Sequence, residues 1–131
     1  MKSQTVLKLM PARKVLVIDD DEAFCILLAT MLSNLGYKVM TSNKAQSVGL
    51  DEMTEADIIF LDMMMPGMNG FQVLEVLSSH QIMSSIVLMS GAENDALVAA
   101  ESFAKRNDLQ LIGVLYKPFR ISDVLAVLCA T

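Results

Sequence analysis

Five polar side chains in this chain stand where apolar runs stop. Asp19 and Asp20 follow Val15-Leu16-Val17-Ile18, Asp62 follows Ile58-Ile59-Phe60-Leu61, Ser90 follows Ile86-Val87-Leu88-Met89, and Lys117 follows Ile112–Tyr116. A single Asp after a strand is more often a turn or helix-capping residue than a reactive one. Five such residues at four run ends point to a shared site instead. Two carboxylates ~4 Å apart repel by about 1 kcal/mol in water and about 4 kcal/mol at an effective dielectric of ~20. Three carboxylates therefore call for a cation, and one lysine does not suffice. Oxygen donors without nearby His or Cys favour a hard ion such as Mg²⁺, which binds one or two carboxylates together with water and phosphate oxygens. A carboxylate can also act as nucleophile and take a phosphoryl group as an aspartyl phosphate. Asp62 suits that role because it precedes MMMPGMNG (63–70), a Pro/Gly loop that can admit a donor. Ser90 is then placed to hydrogen-bond a phosphoryl oxygen, and Lys117 to spread its charge.

The elements that must bring these residues together read as alternating strands and helices. The apolar runs are short and β-branched and lack a period of two, as in parallel strands covered on both faces. A first helix is predicted with Phe24, Leu28, Met31 and Leu35 on one face, Asp21 and Glu22 near its positive end and Gly36 at its C-terminus. A second strand is expected at Tyr37–Thr41, a short helix at 44–53, and a helix at Phe71–Ser79. A further helix is expected from Glu93 to Arg106, with Ala96, Ala100 and Phe103 on one side. A closing helix carries Ile121, Val124, Leu125 and Leu128. Five strands alternating with five helices predict an α/β fold with a doubly wound parallel sheet and helices on both faces. Ligands of such sheets bind beyond the carboxyl ends of the strands, where all five polar residues fall.

The composition limits the alternatives. The chain has 131 residues, 53% hydrophobic and 19% charged, with 15 acidic against 10 basic side chains. That length suits one domain with a real core, and the composition argues against disorder. A mean hydropathy of +0.48 raises the membrane question, but no apolar run approaches the ~20 residues of a spanning helix. The acidic balance and the lack of a basic cluster argue against direct nucleic-acid binding. Residues 1–13 read as a partly ordered tail and 14–131 as the domain. Cys25 and Cys129 suggest neither a disulfide framework nor a metal site, and a cytoplasmic location is expected. Cys25 reads as a helix-surface or core thiol and not as a nucleophile. His80 reads as a solvated residue at a helix end, and the 11 methionines mostly as packing.

Four segments, VLVIDD (15–20), IIFLDMMMPGMNG (58–70), IVLMSG (86–91) and YKPF (116–119), together resemble the receiver domain of two-component response regulators. The resemblance runs over about 14–130. It implies a flavodoxin-like sheet of order 2-1-3-4-5 and a signalling switch, not an enzyme, that assists only its own phosphorylation and slow dephosphorylation. By the same resemblance Asp62 is the phosphoacceptor. Asp20, Asp62 and the Met64 backbone carbonyl hold Mg²⁺ directly, and Asp19 acts on it through water. Ser90 is the switch hydroxyl, and Lys117, before a typically cis Pro118, pairs with the phosphate. The implied partners are a sensor histidine kinase or phosphotransfer protein, a downstream output domain or partner protein, and a second copy through the face of the fourth helix, fifth strand and fifth helix.

The chain departs from the family pattern at Val114, where an aromatic residue often swings inward; Tyr116, on the same side of the strand, reads first as a packing residue beside the sheet edge and second as a partial substitute. Met64 and Ala92 occupy positions that influence water access to the phosphoryl group, and neither can orient an attacking water. Slow dephosphorylation is therefore expected. DLQLIGVLYKPF (108–119) and the helix before it also resemble receivers fused to EAL-type cyclic-di-GMP phosphodiesterases, which implies as an alternative a receiver from a larger regulator with a C-terminal output domain. A haloacid-dehalogenase-like phosphohydrolase is a remote alternative. Those enzymes carry the nucleophile after the first strand in a D-x-D arrangement and have a cap, and this chain shows neither. A docking-only pseudo-receiver is disfavoured by the intact acidic set with Lys117.

Overall fold

The computed structural model describes residues 13–43, 49–64, 70–91 and 95–129. Its elements alternate as β1 (Lys14–Ile18), α1 (Glu22–Asn34), β2 (Lys38–Ser42), α2 (Leu50–Glu55), β3 (Ile58–Asp62), α3 (Gly70–Ser79), β4 (Ser85–Ser90), α4 (Asp95–Arg106), β5 (Gln110–Tyr116) and α5 (Ile121–Leu128). All pairings are parallel, and the strand order is β2-β1-β3-β4-β5. The doubly wound sheet of order 2-1-3-4-5 is thus present.

The unbroken apolar runs are explained by two covered faces. Leu16, Ile18, Ile59, Leu61, Ile86 and Leu88 point into one core, with Met53 of α2, Leu74 of α3 and Leu97 of α4. Val15, Val17, Ile58, Phe60, Val87 and Met89 point into the other, with Leu28 of α1 and Val124 of α5. Past their first residues, Lys14 and Ser85, neither side of β1, β3 or β4 meets water, so no position selects a polar residue until the strand ends. Each fully buried Leu or Ile in these layers contributes about 1.5–3 kcal/mol. The edge strands β2 and β5 are only half-buried.

Two helix faces differ from expectation by about one residue. In α1 the buried positions are Cys25, Leu28 and Leu32. Phe24 and Met31 are half-buried, and Leu35 is an exposed cap residue. The apolar stripe is wide enough to include both sets, and packing against β1 centres it on the second. In α4 Leu97, Ala100 and Ala104 are buried and Ala96 is exposed. The larger Leu97 takes the core position, while Phe103 flanks it and meets the Phe71 ring at 5.0 Å. The short second helix begins at Leu50, after an extended Gly49, and ends at Glu55. The earlier part of its expected span, 44–48, lies outside the described residues, as do the tail to residue 12, loop residues 65–69 and 92–94.

Gly36 fulfils its expected role as a helix terminator. Its φ is +97°, its N–H donates to the Ser33 carbonyl at 3.0 Å, and Tyr37 N–H donates to the Leu32 carbonyl at 3.1 Å. That double closure satisfies carbonyls left open at the end of α1 and turns the chain into β2. Other residue types rarely adopt that φ.

Candidate functional site

Parallel pairing brings the carboxyl ends of β1, β3, β4 and β5 to one edge, and the polar residues arrive there together. Asp19, Asp20 and Asp62 each offer an oxygen, and these oxygens lie within 4.8 Å of one another. Asp19 and Ser90 are fully buried and Asp62 is 4% exposed, whereas Asp20 faces solvent.

Asp19 is fixed at every polar atom. Its N–H donates to the Ser42 carbonyl at 3.0 Å, and its carbonyl accepts the Cys25 thiol at 3.2 Å. Its Oδ1 accepts the Asp21 N–H at 3.0 Å, and its Oδ2 accepts from Lys117 Nζ at 2.5 Å. Asp21 in turn caps α1 by accepting the Phe24 N–H at 3.1 Å. One stretch, 19–25, therefore ends a strand, starts a helix and anchors a carboxylate.

Asp62 is held less tightly. Its Oδ1 accepts the Met64 N–H at 3.1 Å, and its Oδ2 lies 3.6 Å from Lys117 Nζ. The Lys117 N–H donates to the Ser90 carbonyl at 2.7 Å, which ties the end of β5 to that of β4. The Lys117–Pro118 peptide is cis, as expected.

The charges do not balance. Burial pushes the Asp62 carboxyl from 3.8 up to about 6, and the Asp19 charge adds to the rise, against the Met64 N–H and the Lys117 ammonium. Burial opposes charge on Lys117, but its hydrogen bonds and the carboxylates of Asp19 and Asp62 outweigh it, so the ammonium stays above the ordinary lysine value. Among the described residues, one cation thus serves three acids, and it lies nearest Asp19. The all-oxygen donor set fits Mg²⁺. Cys25 is no competing nucleophile. Burial, with the Asp19 charge, pushes its thiol up to about 11, so it stays protonated.

Reasoning from the sequence brought Asp19, Asp20, Asp62, Ser90 and Lys117 to one edge, and the structure places them there. It overlooked two contributors. Gly70 begins α3 so close to the end of β3 that a Cβ on it would lie 2.8 Å from the Asp62 carbonyl oxygen and 2.9 Å from Met63 Cα. Its position at the end of the Pro/Gly loop was the available signal. Phe24 lies under Lys117, with the ammonium 4.3 Å from its ring centroid. Its place four residues after Asp20, just inside a helix, was the only hint. Val114 is half-buried against the α4-side core, and Tyr116 is 44% exposed. His80 is exposed, as read. Ala92 lies outside the described residues. Among the described residues no helix is long and apolar enough to cross a membrane.

Comparison with known proteins agrees with this geometry. The family model described as "Response regulator receiver domain" matches residues 15–128. The chain is 32% identical over 117 residues to the alkaline phosphatase synthesis transcriptional regulatory protein PhoP of Bacillus subtilis, covering 87% of this chain and 46% of that protein. It is 28% identical over 115 residues to the transcriptional regulatory protein PdtaR of Mycobacterium tuberculosis, covering 86% and 53%. The chain thus spans about half the length of these curated relatives. The crystal structure of a response regulator from Colwellia psychrerythraea superposes with a TM-score of 0.75 at 28% identity, over 92% of this chain and 96% of that one. Acidic cluster, sheet order and family match converge: the chain belongs to the response regulator receiver family and is a phospho-accepting switch domain, with Asp19, Asp20 and Asp62 matching that family's Mg²⁺ site.

Proposed function

We propose that Asp62 is the residue that receives the phosphoryl group, from a sensor histidine kinase or phosphotransfer protein. The observation that carries this is the position of the Asp62 carboxylate: 4% exposed, 3.6 Å from Lys117 Nζ, and with oxygens of two further acids within 4.8 Å. Asp20, Asp62 and the Met64 carbonyl would hold Mg²⁺ directly, with Asp19 acting on it through water. When bound, Mg²⁺ neutralises charge on the phosphoryl oxygens and on the acids around them.

The protein's own groups do the rest. An Asp62 oxygen attacks phosphorus as the donor's bond to phosphorus breaks, and the leaving group departs with the bonding pair. The Met64 N–H steadies Oδ1 during that step. A carboxyl raised to about 6 is still largely ionised at neutral pH, so the nucleophile is available. Lys117 then turns from Asp19 toward the new phosphoryl charge, and the Ser90 hydroxyl hydrogen-bonds a phosphoryl oxygen. Val114 stands where an aromatic report is common, so that report is missing from its usual position. Met64, 59% exposed, offers no group to orient a water, so the phosphoryl group is long-lived.

The output belongs either to a partner protein or to a domain joined to this one. Both relatives are transcriptional regulators by name, and a cyclic-di-GMP phosphodiesterase is the alternative output. The exposed apolar residues Val98, Tyr116 and Leu125 support self-association through α4, β5 and α5. The domain, taken as 14–131, works in the cytoplasm without contacting nucleic acid itself. Incubation with acetyl phosphate and Mg²⁺, read by intact mass, is expected to add one phosphoryl group that persists for minutes or longer. Asp62→Asn is expected to add none. Modification of that variant at another residue, or a wild-type half-life of seconds, counts against this reading.

A further inference from the structure

Lys117 has a third neighbour that acceptor chemistry does not require. Its ammonium lies 4.3 Å from the centroid of the Phe24 ring, inside the ~6 Å reach of a cation–π interaction. Phe24 is itself clamped from two directions. Its N–H is held by Asp21 Oδ1 at the start of α1, and its ring meets the Phe119 ring edge-on, with centroids 5.5 Å apart and planes at 89°. Phe119 lies two residues beyond Lys117, so the ring bridges α1 and the turn that carries the lysine. Only about a quarter of the Lys117 side chain is exposed.

A lysine is a point charge on a flexible stem, and two carboxylates attract it without fixing its direction of approach. An aromatic face adds a broad attraction from a known side and takes up no hydrogen-bond donor of the ammonium. The ammonium can therefore exchange the Asp19 oxygen for a phosphoryl oxygen without leaving the ring. We propose that Phe24 is a positioning residue for phosphoryl acceptance, its ring face confining the Lys117 ammonium over the acidic pocket. This rests on Lys117 being the phosphoryl group's cationic partner.

Phe24 also packs against the core containing Cys25, Leu28 and Phe60, so truncating it would disturb the site for ordinary packing reasons. A shape-preserving test avoids that confusion. Phe24 is replaced with phenylalanines bearing one, two or three ring fluorines, which drain the negative ring face with little change in volume. Affinity for beryllofluoride with Mg²⁺ and the initial rate of acetyl phosphate labelling are then measured. Both are expected to fall stepwise, by about three- to fivefold in total, while Phe24→Tyr stays within about twofold. The same fluorines at Phe103, which contacts Phe71 on the opposite face of the sheet, are expected to leave both unchanged. In a Lys117→Met background the dependence on fluorine is expected to vanish. A flat series with Lys117→Met impaired overturns the role of Phe24 alone. A Lys117→Met protein that binds beryllofluoride like wild type removes the lysine reading, and this proposal with it.

Discussion

The two edges of the sheet use buried polar groups in opposite ways. At the amino edge, the buried Ser84 hydroxyl is shared between the Ala56 and Met53 carbonyls, at 2.6 and 3.0 Å. Asp57 there accepts the Lys14 N–H at 2.7 Å. A cleft of about 370 Å³ opens beside them, lined by Arg13, Asp57 and Gln110 among others. Polar atoms at that edge close off backbone groups. Among the described residues at the carboxyl edge, two buried carboxylates and an exposed one face a single ammonium. That edge has a hydrogen bond for each buried acid and still carries surplus negative charge. Polarity at a strand end is therefore no signal of function by itself. Charge left uncompensated there is.

The strongest challenge to this contrast is Asp62→Asn. A folded-state pKa raised from 3.8 to about 6 means that folding takes up a proton, so the ionised group costs stability at neutral pH. Stability is thus gained as pH falls through 6 toward 4 and lost as it rises again. Asparagine mimics the protonated form, so the metal-free variant is expected to be more stable than wild type at pH 7.5 by about 1–3 kcal/mol. The difference is expected to shrink as the pH is lowered toward 4.5. Urea unfolding at several pH values measures it, and a variant less stable than wild type at pH 7.5 would contradict the surplus. Next in size, Asp20→Ala is expected to weaken Mg²⁺ binding by about tenfold or more, ~1.4 kcal/mol, with little change in metal-free stability because Asp20 is exposed. Titration calorimetry beside thermal unfolding separates the two effects. Smallest, Ser84→Ala is expected to cost about 1 kcal/mol, because two buried carbonyls lose their donor. Mg²⁺ affinity and phosphorylation are expected to be untouched. A phosphorylation defect in Ser84→Ala would show that the two edges are not independent.

What could be read ahead of the structure followed burial. β1, β3 and β4 are covered on both faces, so their apolar runs announce both their class and their ends, and Asp19, Asp62 and Ser90 could be placed to the residue. Where burial is partial, the signal weakened. In α4 Ala96, Leu97 and Ala100 are apolar neighbours, and only contact with the sheet decides that Ala96 stays outside. In α1 the same ambiguity separated Phe24 from Cys25 as the inward residue. Composition at the site was legible, but pairing was not. Nothing in the spacing distinguishes a Lys117 that faces Asp62 from one that lies nearer Asp19, because both acids follow adjacent strands. The aromatic beneath Lys117 was likewise beyond reach, since it depends on how α1 leans toward the β5–α5 turn.

Gly70 has a practical bearing on redesign. Since even a methyl at position 70 would collide with the main chain of Asp62 and Met63, a library built to retune the loop can vary the path but must keep its landing point. Any larger residue there shifts either the first turn of α3 or the backbone that carries Asp62. A protein engineer should treat position 70 as part of the reactive centre, although it contributes no functional group.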